Sequence, residues 1–305
     1  MIKKSILAAL VMLVAYHFLF PYLPRKYFQS SGPQRDNFLR AQRYVHDKRS
    51  KTKVILGSSL SLRFNQPILD DTYFKLALGG GSVFTGLEVI RHAKKHPAVV
   101  LIEINQLGWN VDNELLHDLF TPWRKKLRNY SPIFKEEGRP ANFVNGVGEI
   151  FVRTICHWGS RLLGQAPAPD FPSGTSAQNP ALFAQLVRMY RDQALAVTPA
   201  GLRGKANQLG DYIDALARDG SICILYEMPI DSSLSNLPSP VAVRNATETR
   251  FPKNKYHWLE FPRAHNYDTY DGLHVSQAEA DRLAQSLVRQ VNQIAHEPLM
   301  FSSPR

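Results

Sequence analysis

The run Lys53–Ser61, KVILGSSLS, sets the reading of the chain. Lys53–Leu56 has the apolar character of a short strand, and Gly57 breaks it. Ser58 and Ser59 fall in the turn, and Leu60 and Leu62 resume burial. A strand that ends in Gly-Ser-Ser sets a hydroxyl at the carboxyl edge of a sheet, where open α/β folds bind ligands. Most such runs are only turns. A nucleophile here therefore requires a base, an orienting acid and an oxyanion site from elsewhere in the chain.

Working outward, Tyr73–Leu78 reads as a second strand, followed by Gly79, Gly80, Gly81 and Ser82 in a tight turn. Val83–Lys95 carries Val83, Leu87, Ile90 and His92 at helical spacing. Ala98–Ile104, AVVLIEI, is a continuous apolar run of the kind buried on both faces of a parallel sheet. Strand, turn, helix and strand in this alternation predict a three-layer α/β/α, doubly wound parallel sheet. Farther on, Ser221–Glu227 is a further buried strand and Tyr256–Phe261 a last short one. A closing helix runs from Gln277 to about Ile294, with Ala280, Leu283, Ala284, Leu287, Val288 and Val291 on one face.

The flanking regions read differently. A basic start, Met1–Lys4, leads into the apolar run Ile6–Phe20, and residues 1–24 read as a signal anchor in preference to a cleaved signal peptide. Its charged flanks are nearly balanced, so they do not fix its orientation. Residues 25–52 form a stalk helix, and 53–300 form the main domain with a helical insertion over about 107–205. Within that insertion Trp109–Phe120, Pro122–Arg128 and Ala141–Leu163 have helical patterns, and 164–180 is a Pro- and Ser-rich loop. Two further helices are expected over Pro180–Val197 and Gly204–Asp219, with a loop over Asp231–Pro240 and a helix over Val241–Phe251. The basic aromatic stretch Trp123–Arg128 suits either a membrane surface or an ordinary solvated helix face. The formal charge of +11 over 305 residues points to an anionic neighbour or to a basic surface that aids solubility. The basic residues are not gathered in a recognition motif, so no nucleic-acid role is expected. Cys156 and Cys223 form no CxxC pair, and no His or carboxylate set has a metal-ligand spacing, so no metal and no cofactor are expected.

Chemistry collects in four stretches. The Gly-Ser-Ser turn offers Ser59. In Tyr270–Ser276, YDGLHVS, Asp271 and His274 lie three residues apart just before a helix, so Asp271 can orient an imidazole that faces a hydroxyl. The glycines of Leu76–Ser82 can point backbone N–H groups at a ligand oxygen. Asn105, at the end of the third strand, can donate its carboxamide to an oxyanion. His92 and His265 are the other histidines one might propose, and Asp268 competes with Asp271 by proximity alone. The chain has no Gly-x-Ser-x-Gly elbow of the α/β-hydrolase kind.

In order and spacing these stretches resemble the four blocks of the SGNH (GDSL-like) hydrolase superfamily. The resemblance covers Lys53–Gln106 and Tyr270–Ile294. It implies a flavodoxin-like sheet, Ser59 as nucleophile, His274 as base and Asp271 as orienting acid. The oxyanion hole would be formed by Ser59, Gly80 (or Gly79 or Gly81) and Asn105. Two departures stand out. Ser58 occupies the place of the family's usual aspartate, and the third block reads Glu-Ile-Asn-Gln. Both are closer to membrane-anchored members such as the teichoic-acid D-alanyl transfer proteins and the alginate-type O-acetyltransferases. That branch implies O-acetyl transfer to an exported or cell-envelope polysaccharide, with the acyl donor delivered by a membrane acyltransferase partner. The catalytic domain would then face the periplasm or the outside from an anchor in the cytoplasmic membrane. An envelope carbohydrate or lipid esterase, with water as acceptor, uses the same triad. An inactive scaffold or glycan-binding subunit of an export complex is the non-enzymatic alternative.

Overall fold

The structure is a computed structural model of the 305-residue chain. It describes residues 2–23, 32–47, 52–139, 142–144, 147, 148, 151, 180–196, 198–262 and 267–296. In chain order the helices are α1 (Ile2–Leu19), α2 (Pro33–His46), α3 (Val83–Ala93), α4 (Asn113–Phe120), α5 (Pro122–Tyr130), α6 (Pro180–Ala196), α7 (Pro199–Arg218), α8 (Ser232–Ser235), α9 (Pro238–Arg250) and α10 (Gln277–His296). The strands are β1 (Lys53–Gly57), β2 (Tyr73–Ala77), β3 (Val99–Glu103), β4 (Ile222–Tyr226) and β5 (His257–Trp258). Most of the helix expected over 141–163 and most of the loop expected over 164–180 lie outside the described residues, as do Cys156 and His265.

Two compact units make up the chain. The first comprises Met1–Arg43 and Glu114–Phe171. Within it α1 leaves Ile6, Leu7, Val11, Met12, Val14 and Phe18 exposed, and His17 Nδ1 lies 2.8 Å from Ser131 Oγ, just past α5. In α5 the buried Arg128 donates to the Asp118 and Leu119 carbonyls at 2.7 and 3.2 Å. The helix leaves Trp123, Leu127 and Tyr130 exposed. Among the described residues no helix is long and apolar enough to cross a membrane.

The second unit comprises Tyr44–Asn113 and Pro172–Arg305, so α6 and α7 group with the sheet. The sheet has five parallel strands in the order β2-β1-β3-β4-β5, the flavodoxin-like order with a switch point between β1 and β3. Side chains alternate between its faces. On one face Ile55, Val99, Leu101, Ile224 and Tyr226 share a core with Ala280, Leu283, Ala284, Leu287 and Val291 of α10. On the other, Gly86 of α3 lets the helix close onto Leu56, where a Cβ would sit 2.8 Å from Leu56 Cδ2. Helix α7 packs on α3 through Tyr212, whose ring is 6.1 Å from that of Phe84 and whose hydroxyl donates to Glu88. All five strands run the same way, so the residues that follow β1, β2 and β3 emerge at one edge.

Local chemistry moves several boundaries. Helix α7 starts at Pro199, ahead of the expected Gly204, because Thr198 caps it (Gly201 N–H to Oγ1, 3.1 Å) and proline suits the first helical position. Helix α9 starts at Pro238, where proline again suits the first position. Asp231 caps the single turn α8 inside the expected loop, accepting from Ser233 N–H at 2.8 Å. Strand β5 keeps only two of the six expected residues. It pairs at the edge with Ile224 and Leu225 alone, while Tyr256 N–H bonds back to the Pro252 carbonyl at 3.1 Å.

Candidate active site

The turn after β1 is built on a buried carboxyl. Glu103, the last residue of β3, is 1% exposed. Its Oε2 accepts the N–H groups of Ser58 (3.0 Å) and Ser61 (3.2 Å), its Oε1 accepts the Ser58 hydroxyl (2.6 Å), and the Ser61 hydroxyl also donates to Oε2. Ser58 Oγ in turn accepts the Leu60 N–H at 3.2 Å. Tyr226, paired with Glu103 across the β3–β4 register, has its hydroxyl 2.5 Å from Ser61 Oγ and donates to the Leu56 carbonyl at 3.3 Å. Burial pushes the Glu103 carboxyl up from its ordinary value, and the donors from Ser58 and Ser61 oppose that rise. Ser58 thus acts as a donor to a carboxyl supplied by the neighbouring strand.

This arrangement dictates glycine at 57. A Cβ there would lie 2.8 Å from Glu103 Cβ and closer still to its carboxylate and to Ser61 Oγ. Gly57→Ala is therefore expected to destabilise the fold by about 1–3 kcal/mol, as overpacking of a tight interior does. Urea denaturation of the two proteins measures this, and an unchanged midpoint would contradict the packing described.

Ser59, half-buried, follows in that turn. Among the described residues its N–H donates to no protein acceptor, whereas those of Ser58, Leu60 and Ser61 are all engaged. Its hydroxyl meets His274 Nε2 at 2.9 Å, and His274 Nδ1 meets Asp271 Oδ2 at 2.7 Å. The other Asp271 oxygen accepts the Leu273 and His274 N–H groups at 2.9 and 2.6 Å. A carboxylate two and three residues before those donors closes an Asx-type turn, which is why this spacing brings acid and base together. Gly272 takes φ +86° inside it, and the Thr269–Val275 bridge closes the loop. Ser276 then starts α10, accepting the Glu279 N–H at 3.4 Å. Burial pushes the Asp271 carboxyl up. The side-chain and backbone bonds from His274, its charge and the Leu273 N–H outweigh that and hold it below the usual carboxylate value. Tyr270 stacks on the imidazole, with centroids 5.6 Å apart and planes 14° apart, and Arg63 lies over its ring at 5.2 Å.

Of the expected oxyanion groups, Gly80 is exposed at φ +65° with open space where a side chain would be. Its N–H bonds to no acceptor among the described residues, while Gly81 N–H donates to the Leu78 carbonyl at 2.9 Å. The Asn105 carboxamide is paired with the Met228 backbone: Nδ2 donates to its carbonyl at 2.9 Å and Oδ1 accepts its N–H at 2.7 Å. One N–H of Nδ2 remains beyond that pair. Beside Asn105 a cavity of about 190 Å³ is lined by Gln106, Trp109, Tyr190, Leu202 and Val243 among others. A larger one, about 540 Å³, opens by β5 around Glu227, Arg244, Trp258 and Tyr267. Neither includes Ser59 or His274 in its lining.

The structure therefore brings Ser59, His274 and Asp271 into one hydrogen-bonded chain. His92 stands apart on α3, 3.3 Å from Glu88 Oε2. Asp268 accepts the Ser276 N–H through its backbone carbonyl, at 2.7 Å. Glu103, Ser61, Tyr226 and Tyr270 join the site although sequence alone assigns none of them a role there. The one sequence signal for Glu103 is a lone acidic residue in an otherwise apolar strand, since such groups are rarely buried without partners.

No family model and no curated protein matches the chain. Among solved structures it is similar to one from Bacteroides fragilis described provisionally as an acylhydrolase, with 10% sequence identity and a TM-score of 0.39 over 87% of this chain and 99% of that one. At that level of similarity the geometry of the site carries the functional reading.

Proposed function

We propose that the chain performs acyl-ester chemistry through an acyl-serine on Ser59. The observation that carries this is the unbroken chain Ser59 Oγ–His274 Nε2–His274 Nδ1–Asp271 Oδ2, with contacts of 2.9 and 2.7 Å. In this mechanism His274 takes the Ser59 proton as Oγ attacks the acyl carbonyl carbon. Asp271 holds the imidazole with its proton on Nδ1 and stabilises its charged form. The carbonyl oxygen, now an oxyanion, receives the unengaged N–H groups of Ser59 and Gly80 and the remaining N–H of Asn105. Collapse expels the leaving alcohol with the proton from His274. An acceptor hydroxyl then repeats the steps in reverse, and the acyl group leaves Ser59.

The acceptor we favour is a sugar hydroxyl of an exported or cell-envelope polysaccharide, with acetyl as the acyl group and a membrane acyltransferase partner as its source. The resemblance of the four sequence blocks supports this reading. So does the N-terminal unit, where the apolar surface of α1 and the exposed Trp123, Leu127 and Tyr130 of α5 suit a protein held at a lipid surface. With water as acceptor the same residues make an esterase. The intact triad geometry speaks against an inactive scaffold.

Incubating the purified chain with p-nitrophenyl acetate, with and without an acetyl-accepting oligosaccharide, tests the assignment. Ester turnover is expected, with acetylated sugar forming faster than free acetate. Faster hydrolysis would favour the esterase, and no turnover of any acyl ester would overturn the enzyme reading. For the lipid surface, the full chain is expected to co-sediment with anionic phospholipid vesicles, and Trp123→Ala to weaken that binding. Equal recovery in the supernatant with and without vesicles would refute it.

A further inference from the structure

We propose that Glu103 is a positioning residue for Ser59: its buried carboxyl gathers the N–H and O–H groups of Ser58 and Ser61, and this sets the turn so that Ser59 alone presents its hydroxyl to His274 and its N–H to the reacting oxygen. The inference rests on the acyl-serine reading above.

Four donors converge on this one carboxyl, and they come from the residues one before and two after Ser59. Ser58 Oγ also holds the Leu60 N–H, so every other N–H of the 58–61 turn is tied inward. The Ser59 N–H is the exception, as an oxyanion donor must be. Tyr226 completes the network, placed against Ser61 Oγ and the Leu56 carbonyl. The carboxyl crosses from β3 to the end of β1, the switch point at which open α/β sheets bind their ligands.

In the otherwise apolar β3 a buried carboxyl carries a desolvation cost, which its donors from Ser58 and Ser61 offset. What the carboxyl supplies is direction, because several donors with fixed geometry hold one turn conformation. Glu103 is not itself the base or the orienting acid. Its oxygens are engaged by Ser58 and Ser61, it makes no hydrogen bond to Ser59 or His274, and Asp271 already occupies His274 Nδ1.

Glutamine is the informative replacement. Its oxygen can stand in for Oε2 and accept both N–H groups, while its NH₂ donates to Ser58 Oγ, whose hydroxyl can rotate. Alanine removes all four bonds.

The test uses the full chain as wild type, Glu103→Ala, Glu103→Gln, Ser58→Ala and Ser61→Ala. Each is assayed with p-nitrophenyl acetate per active site, labelled with a fluorophosphonate mapped by peptide, and melted. Wild type is expected to label at Ser59. Glu103→Ala is expected to lose about 10²-fold in kcat and labelling rate with KM within about twofold, the pattern of a misdirected oxyanion donor and nucleophile. Glu103→Gln is expected to stay within about fivefold of wild type, since it keeps the N–H partners. A purely structural role would lower the melting temperature and leave kcat per labelled site unchanged, which overturns the inference. A glutamine variant as slow as the alanine variant also overturns it. Should Glu103→Ala fail to fold, the serine variants decide, because each withdraws one hydroxyl donor and leaves the carboxyl in place. About tenfold lower kcat is expected for each, the scale of one lost hydrogen bond, and wild-type kcat in both would overturn the proposal. If wild type itself does not label at Ser59, the acyl-serine reading falls. If wild type labels and Glu103→Ala labels equally fast, only the role of Glu103 falls.

Discussion

Ser59→Ala is expected to lower kcat on an activated acetyl ester by about 10⁴–10⁶-fold, the range seen when a serine nucleophile is deleted from a complete triad. The loss is large because no neighbouring hydroxyl can take over. Ser58 Oγ and Ser61 Oγ are buried and committed to Glu103, and only Ser59 Oγ reaches His274. The fold is expected to survive. The one side-chain bond removed is the bond to Nε2, and the site is half-buried, so solvent can satisfy the imidazole. Steady-state kinetics alongside a melting curve check both halves, and turnover that persists in a folded variant would sink the nucleophile assignment.

Asp271→Asn is expected to lower kcat by about 10⁴-fold with little change in KM, as loss of the orienting carboxylate does in a serine triad. The geometry gives the reason. Oδ1 accepts two backbone N–H groups, so an asparagine would keep its oxygen there and turn its NH₂ towards His274 Nδ1. The imidazole would then accept at Nδ1 and carry its proton on Nε2, facing Ser59, where it cannot act as a base. The pH behaviour separates this from simple loss of charge. The Asp271 carboxyl lies below its ordinary value. Its contribution to stability is therefore in place above the unfolded-state value and lost only as pH falls through the lower folded-state value. The variant should accordingly be less stable than wild type at neutral pH, and that gap should close in strong acid. A gap in melting temperature that is constant from neutral pH into strong acid would contradict the assigned ionisation.

Much of the fold and of the triad is legible in the amino-acid sequence, for physical reasons that can be named. Strands β1, β3 and β4 lie inside a parallel sheet, so they show as largely apolar stretches with turn residues at their ends, while the edge strand β2 carries Lys75 and is marked by the glycines that follow it. Asp271 and His274 are local partners three residues apart, and their bond follows from one turn. Strand β5 is shorter than its sequence suggests because a two-residue edge pairing leaves almost no pattern. The pairing of Asn105 with Met228, 123 residues away, has no local trace. Glu103 is the instructive case. Its strand and its charge are both plain in the sequence, as is the Gly-Ser-Ser turn, yet Glu103 and Ser58 meet only because β1 and β3 are neighbours in the sheet. A carboxyl in a run otherwise buried on both faces needs donors, and the adjacent turn is where they lie.

The covalent intermediate on Ser59 offers the most direct measurement. Rapid quenching of the full chain with an activated acetyl ester, followed by intact mass measurement and peptide mapping, should show one acetyl group on the peptide that carries Ser59. In Asp271→Asn that adduct should form far more slowly, and in Ser59→Ala it should be absent. An acetyl group found on another residue at the same rate, or an adduct that persists in Ser59→Ala, would contradict the acyl-serine mechanism.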